Sequence, residues 1–204
     1  MSLQVLRDVL SADYRGPRAG FSEIHVLRAI FVIGDSDSVG RGRLGKLVWL
    51  GQGEVRTLIK RLKEKDLIVI EADGCKLSDR GESEYRRLRE KLRWSSAVDA
   101  KALGIGEKCW AVMVRGGAKN VRKGIEQRDA AVRAGANGAL TALFSSGHFA
   151  LPGEGTDCEK DGPRGLWSSV RSAKPEKNDV VVIVGAGSEG AAELGALASA
   201  LTLF

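Results

Sequence analysis

The stretch that decides the fold of the first half is residues 53–66, which read G-E-V-R-T-L-I-K-R-L-K-E-K-D. Four apolar side chains recur at i, i+3, i+4 and i+7, the spacing of an amphipathic helix with one buried stripe: Val55, Leu58, Ile59 and Leu62. At about 100° per residue, a second stripe on the same helix is cationic and holds Arg56, Lys60 and Lys63. The pattern predicts a helix that is buried on one side and basic on another.

The flanking segments predict the elements on either side of this helix. Residues 22–34 predict a buried helix that opens at Ser22, and residues 41–49 predict a short second helix. After the basic helix, residues 67–71 and 75–77 predict two strands joined by an Asp73-Gly74 turn. Ser78 then caps a helix of about 15 residues with an apolar face. The predicted order is helix, short helix, helix, hairpin, helix.

This order is that of a helix-turn-helix followed by a wing. Residues 55–68 (V-R-T-L-I-K-R-L-K-E-K-D-L-I) and residues 77–81 (L-S-D-R-G) resemble the winged-helix regulators of the MarR and PadR families. The resemblance implies that the first stretch reads DNA and that the second begins the helix after the wing. Winged helices also bind RNA and other proteins, so those alternatives stay open.

The charge distribution points to a polyanionic partner. The chain has 204 residues and a formal net charge of +6, and residues 41–65 alone hold eight basic and two acidic side chains. All of the net charge therefore lies in this window, which is an electrostatic footprint for nucleic acid. The alternative is a solvated helix face. The wing, residues 71–74, is short and acidic, so we expect poor contacts from it.

We expect the basic helix to enter a major groove of double-stranded DNA. Arg56, Thr57 and Lys60 would approach base edges, with Gln52 at the tip of the helix. Five further cations would contact phosphates: Arg41, Arg43, Lys46, Arg61 and Lys63. We also expect a homodimer, because one such helix reads too few bases. The helix carrying Tyr85, Leu88 and Leu92 and the final Ala/Leu-rich helix are its candidate interfaces.

The second half predicts a separate small domain. Residues 94–108 are small and polar and predict a junction, so the expected domains are residues 1–95 and 108–204. Strands are predicted at 109–114, 139–144, 147–151 and 179–184, and helices at 120–134, 166–173 and 188–203. The expected fold class is α+β: a winged helix followed by a small two-layer α/β sandwich with its helices on one face.

A second resemblance covers roughly residues 20–204. A winged helix joined to residues 124–139 (G-I-E-Q-R-D-A-A-V-R-A-G-A-N-G-A) resembles a family of uncharacterised archaeal two-domain proteins. Their C-terminal domain has no known function, and its fold is similar to the small GAD domain of bacterial-type aspartyl-tRNA synthetases and tRNA-amidotransferase subunits. The resemblance implies a regulator and motivates an RNA- or translation-linked alternative.

Two motifs in the second half predict ligand contacts. Glu126, Arg128 and Asp129 lie in the middle of a predicted helix, where Ile125 and Val132 are expected to approach the sheet; a solvated helix face is the alternative. Residues 185–190 (G-A-G-S-E-G) match G-x-G-x-x-G, but only 14 residues follow, so no βαβ unit can form. Gly187 and Ser188 remain candidates for an anion at the helix start.

Other functional classes find little support. Three scattered cysteines and two histidines do not form a zinc or disulfide pattern, and no cofactor or catalytic triad is indicated. No apolar stretch is long enough for a membrane span, and we expect a cytoplasmic protein. The prediction is a non-enzymatic, DNA-binding transcriptional regulator with a C-terminal module that dimerises or senses a small-molecule effector. The alternatives are the RNA-linked protein and, last, a nucleotide-binding enzyme.

Overall fold

The computed structural model describes residues 2–11, 20–160 and 162–204. The chain forms two compact units, Met1–Arg89 and Glu90–Phe204. The first unit is mainly helical and the second is built on a five-stranded sheet, so the predicted α+β class is confirmed.

The first unit contains a run of helices and one hairpin. Its elements follow the chain as α1 (Ser2–Leu10), α2 (Glu23–Gly34), α3 (Arg41–Leu47), α4 (Gln52–Glu64), β1 (Ile68–Glu71), β2 (Gly74–Leu77) and α5 (Asp79–Lys91). The order from α2 to α5 is the predicted one. Helix α1 was not predicted from the sequence; its Leu6 and Val9 are fully buried, which places it in the core of the unit.

The ends of the helices follow from local hydrogen bonds. Ser22 precedes α2, and its backbone N–H donates to Nδ1 of His25 at 3.2 Å. Burial of His25 lowers the pKa of its imidazole, and Glu54 opposes that effect. Ser78 caps α5 as predicted, because its hydroxyl accepts a hydrogen bond from the N–H of Gly81 at 3.0 Å.

Helix α5 uses its apolar face inside the first unit. The Tyr85 hydroxyl donates to Asp35 at 2.6 Å, and its ring meets Phe31 edge-on with 6.1 Å between centroids. Leu88 is fully buried, whereas Leu92, also buried, lies past the end of the helix and belongs to the second unit. The proposal of this helix as a dimer interface is therefore wrong, because its apolar side chains are already packed.

The hairpin turns one residue earlier than predicted. Glu71 pairs with Gly74, so the turn residues are Ala72 and Asp73, and Gly74 begins the second strand. Gly74 has a φ of +142°, and a Cβ there would lie 2.6 Å from the carbonyl carbon of Val39. The segment at Val39 adds a β-bridge to Cys75, and this close approach explains the glycine.

The second unit is an antiparallel sheet with helices on both faces. Its elements are β3 (Leu92–Val98), β4 (Lys108–Val114), α6 (Ile125–Arg133), β5 (Gly138–Ser145), β6 (His148–Ala150), α7 (Arg164–Ser172), β7 (Val180–Ala186) and α8 (Glu189–Leu201). The strand order is β3-β4-β7-β5-β6, and every neighbouring pair is antiparallel. Residues 94–98, predicted as a junction, therefore belong to an edge strand.

The central strand β7 separates two layers of side chains. Val181 and Ile183 point into a cluster with Phe149, Leu166 and Trp167, so α7 covers that face. The alternate residues of the same strand meet the other layer, where the α8 residue Gly195 lies against Val184. The prediction that the helices share one face holds for α6 and α8 and is wrong for α7.

Helices α6 and α8 pack closely through small residues. A Cβ on Gly195 of α8 would lie 2.9 Å from the Cβ of Ala136, just past the end of α6. The buried residues of α6 are Gln127 and Ala131, whereas Ile125 and Val132 are each 47% exposed. The predicted inward face of α6 is therefore wrong.

Helix α8 is covered along most of its length by α6, β4 and β7. It is therefore not the dimer surface that the sequence suggested. No helix in the described part of the chain is both long and apolar enough to cross a membrane.

Candidate nucleic-acid interface

Helix α4 divides into a buried stripe and a basic stripe, as predicted. Its four apolar residues are buried in the core of the first unit. Arg56, Lys60 and Lys63 lie on the exposed side. The 100° step between residues produces both stripes from one stretch of sequence.

A groove of about 550 Å³ runs between α4, the start of α3 and the hairpin. Its rim is basic and its floor is apolar, formed by Ile59 and by Ile70 of β1. The four cations that line it are Arg41, Arg56, Lys60 and Lys63. Lys60 lies 3.8 Å from Glu64, an exposed i, i+4 pair that contributes little. A basic rim above an apolar floor suits a polyanion that also presents apolar edges.

A second groove of about 390 Å³ lies between α3 and α4. Arg41, Lys46 and Gln52 line it, so Arg41 borders both grooves. The two helices approach closely here, since a Cβ on Gly45 would lie 3.1 Å from the Val55 side chain. Six of the nine residues predicted to contact DNA therefore lie along two adjoining grooves of one surface, which we call the basic face: Arg41, Lys46, Gln52, Arg56, Lys60 and Lys63.

Most cations of the basic face have no acidic partner. Within the described ranges, no ion pair involves Arg41, Lys46, Arg56 or Lys63. Like charges brought together without counter-charges repel one another, and binding an anion relieves that repulsion. This surface therefore offers positive charge that is not neutralised by neighbouring acidic side chains to a negatively charged ligand.

Arg61 is not part of the basic face, and its prediction as a phosphate contact is wrong. Its side chain is 4% exposed and lies across the end of α1, where Nη1 donates to the carbonyl oxygens of Leu10 at 3.0 Å and Val9 at 3.4 Å. The guanidinium also lies 5.4 Å from the centre of the Phe21 ring. At about 100° per residue, Arg61 lies about 60° around the helix from the buried Leu58 and about 160° from Lys63, so it faces inward.

Two other predicted DNA contacts lie off the grooves. The hydroxyl of Thr57 donates to the carbonyl of Gly53 at 3.1 Å, one turn back on α4. Arg43 is exposed on α3 but lines neither groove. Two positions along a helix rotate a side chain by about 200°, so Arg43 points away from Arg41.

The hairpin contributes apolar rather than basic side chains. Its cation, Lys76, binds Glu71 at 2.6 Å and Asp73 at 3.2 Å. These bonds raise the pKa of Lys76, and the Lys76 bond lowers the pKa of Asp73. Val69 and Ile70 are 40% and 50% exposed. The charged side chains of the hairpin thus pair with one another, and its first strand presents apolar side chains beside the basic groove.

The ligand residues predicted in the second unit do not form one site. Glu126 and Arg128 are exposed on α6, and Arg128 donates to its neighbour Asp129 at 3.0 Å. Helix α6 begins beside the end of α8, because Gln127 donates to Thr202.

Gly187 and Ser188 lie at the opposite end of α8. The distance along the helix from Ser188 to Thr202, at the end beside α6, is about 21 Å, at 1.5 Å per residue. Ser188 is also already engaged, because its hydroxyl accepts from the N–H of Ala191 at 3.3 Å. The predicted ligand set is therefore two separate surface patches.

The G-x-G-x-x-G stretch is explained by packing. Strand β7 has antiparallel neighbours on both sides, whereas a dinucleotide fold places this motif in a parallel βαβ unit. Gly185 is needed because a Cβ there would lie 2.4 Å from the carbonyl oxygen of Ile105. The glycine allows two backbones to cross.

The second unit does contain a polar pocket of about 420 Å³ that the sequence did not indicate. It lies where β3 ends and β4 and α8 begin. Its charged lining residues are Asp99, Lys101, Glu107, Lys108 and Glu189. Among the described residues, no group of three His, Cys, Asp or Glu side chains is placed to hold a metal ion.

Comparisons with known proteins match the second unit to a family of unknown function. Residues 105–203 match a family model described as a domain of unknown function, DUF4443. A search of curated proteins finds no match. Among solved structures, the chain is similar to the hypothetical protein PH0730 from Pyrococcus horikoshii OT3, with 24% identity and a TM-score of 0.71 over 90% of this chain and 92% of that one. The likeness shows a shared fold with an uncharacterised archaeal protein.

Proposed function

We propose that this chain is a cytoplasmic transcriptional regulator that binds double-stranded DNA through a winged helix formed by α2 to α5. The observation that carries the proposal is the basic face, where five cations and Gln52 line two adjoining grooves along α4. Helix α4 has the exposed side that a recognition helix presents to a major groove. The second unit would dimerise or sense an effector.

We propose different tasks for the residues of the basic face. Arg56 and Lys60 lie on the exposed side of α4 and would reach base edges, with Gln52 at its first turn. Arg41 and Lys46 on α3, and Lys63 near the end of α4, would contact phosphates. The amide of Gly51 already donates to Glu54 at 3.0 Å, so the start of α4 would contribute no phosphate contact there.

The hairpin would act differently from a basic wing. Its exposed Val69 and Ile70 suit contact with sugars or thymine methyl groups rather than with phosphates. The five groove cations therefore carry the electrostatic part of binding. The three cations placed at phosphates, Arg41, Lys46 and Lys63, predict a log–log salt slope of about −2.7 for one bound chain, at about −0.9 per phosphate contact.

The test is duplex DNA binding by fluorescence anisotropy, with genomic competitor DNA and a salt series. The double variant Arg56→Ala, Lys60→Ala should weaken selection of the specific site by about 1–3 kcal/mol or more, and the double variant Lys46→Ala, Lys63→Ala should make the salt slope shallower by about 1.8. The matched control is Arg80→Ala, Arg86→Ala on α5, which removes the same charge away from both grooves. It should retain the wild-type slope.

The outcomes separate the candidate functions. If the groove and control variants lose binding equally, the basic face is not the interface. If the protein binds structured RNA more tightly than duplex DNA at equal salt, the RNA-linked alternative replaces the proposal. Absence of binding to either at low salt would make the basic face a solvated surface.

A further inference from the structure

The two edges of the five-stranded sheet differ in the hydrogen bonding of their outer backbone groups. At the β6 edge, the following loop folds back: the N–H of Cys158 donates to the carbonyl of Phe149 at 2.8 Å, and Ala150 bridges to Asp157. At the other edge, β3 pairs with β4 only. Within residues 20–160 and 162–204, no other backbone segment is hydrogen-bonded to its outer side.

Apart from a bulge at Arg93, the exposed edge lacks the usual protection against pairing. Strand β3 is seven residues long and reads L-R-W-S-S-A-V. It contains neither proline nor lysine, and its one charge, Arg93, donates to Glu176 of the same unit at 2.6 Å. A long edge with unpaired N–H and C=O groups is a template for another strand. The sequence of β3 indicates which strand can pair with this edge.

We propose that β3 pairs antiparallel with β3 of a second copy of this chain, with Ser96 on the two-fold axis. In such a pair the axis is perpendicular to the sheet, so one residue faces itself and the others pair symmetrically about it. With Ser96 at the centre, Trp94 faces Val98 of the second copy, and Ser95 faces Ala97 of the second copy. Each of these pairs occurs twice.

The register is selected by complementarity. An aromatic residue opposite a β-branched one is a favourable cross-strand pair, and Trp94 and Val98 are both half-buried at the edge of the core that contains Phe149 and Trp167. Pairing would complete their burial. The same register brings Arg93, at the bulge of β3, towards the exposed Asp99 of the second copy. At both ends of the pair, Arg93 would then lie between Glu176 of its own unit and Asp99 of the second copy.

Neighbouring registers lose these pairs. Centring on Ser95 places Trp94 opposite Ser96 and Arg93 opposite Ala97. Centring on Ala97 places Trp94 opposite Ala100, whose side chain is fully buried in its own unit. Of these three registers, only the one centred on Ser96 both places Trp94 opposite Val98 and brings Arg93 towards Asp99. The result is a ten-stranded antiparallel sheet across two copies.

This interface stands on the second unit alone and does not depend on DNA binding. The first test is the mass of the full chain by size-exclusion chromatography with light scattering at tens of micromolar. A dimer of about 44 kDa is expected from the 21.8 kDa chain. Ser96→Lys should give a monomer, because it places two ammonium groups opposite each other at the axis. The matched control Ala97→Lys, on the other face of β3, should remain a dimer.

Cross-linking tests the register directly and does not rely on loss of assembly. In a Cys158→Ser background, Ser96→Cys should form a disulfide-linked dimer on mild oxidation, since directly opposite residues have Cβ atoms about 4.5–5.5 Å apart. Ala97→Cys should not, because its copies are offset by two residues and their Cα atoms are more than about 7 Å apart.

Three results would overturn the proposal. They are a monomeric wild-type chain, a Ser96→Lys variant that stays dimeric, and cross-linking through residue 97 in preference to 96. A thermal melt of Ser96→Lys identifies a variant that fails to fold, in which case the cross-linking result decides. A dimeric wild-type protein that does not bind DNA would refute the proposed function but not this interface.

Discussion

Replacing Arg61 by alanine should destabilise the first unit and leave the electrostatics of DNA binding unchanged. The guanidinium is buried and donates to the last carbonyl groups of α1, at Val9 and Leu10. Those oxygens have no partner within their own helix, and a cation beside them also complements the negative end of the helix dipole. Arg61 therefore ties α1 to α4.

The magnitude follows from what the truncation removes. A hydrogen bond from a charged donor contributes about 1.5–3 kcal/mol, and leaving its carbonyl partners buried adds a desolvation cost. The side chain also packs beside the Phe21 ring, and that contact is lost as well. We expect Arg61→Ala to lower the free energy of unfolding of the first unit by about 3 kcal/mol.

The assay pairs stability with DNA binding. Urea unfolding followed by far-ultraviolet circular dichroism reports the helical first unit, and anisotropy at temperatures where the variant is folded reports the salt slope. Lys63→Ala is the matched control, because loss of its exposed side chain should cost less than about 0.5 kcal/mol while making the slope shallower by about 0.9. A stable Arg61→Ala variant with a shallower salt slope would refute this account of Arg61.

Three further predictions rest on other features. Gly74→Ala should lower the melting temperature, because its φ of +142° and the 2.6 Å approach to Val39 leave no room for a Cβ; an unchanged melting curve would contradict this. Burial raises the pKa of Cys158 to about 11, so at pH 8 about one thiol in a thousand is ionised and alkylation by iodoacetamide should be far slower than for a free cysteine. The Arg93 guanidinium holds the pKa of Glu176 below its usual 4.5, so the stability gained from that carboxylate is complete above pH 4.5 and is lost as the pH falls through the lower folded value. Glu176→Gln should flatten the pH dependence of the melting temperature in that acid range and in no other.

The sequence predicted the elements whose pattern is strong and local. The apolar stripe of α4, the caps at Ser22 and Ser78 and the hairpin all depend on residues a few positions apart. The basic stripe could be predicted for the same reason. Arg61 could not, because its burial depends on α1, which lies 51 residues earlier at Leu10.

The errors in the second unit arise from assuming that the most apolar residues face inward. Ile125 and Val132 were expected to approach the sheet, but Gln127 and Ala131 do so. The reason is the small-residue surface of α8, which lets α6 come so close that large side chains do not fit between them. Alanines at i+3, i+4 and i+7 from Gln127 were the available signal. Strand β3 was missed because two serines interrupt its apolar pattern.

The crossing of backbones at Gly185 has a consequence for how relatives of this chain evolve. The contact is reciprocal, since a Cβ on Gly106 would lie 2.4 Å from the backbone nitrogen of Ala186. Each backbone blocks a side chain on the other, so substitution at one position cannot be compensated at the other. Both glycines should vary little among related sequences. A glycine aligned with residue 185 would then reflect the close packing of two backbones and would not indicate nucleotide binding.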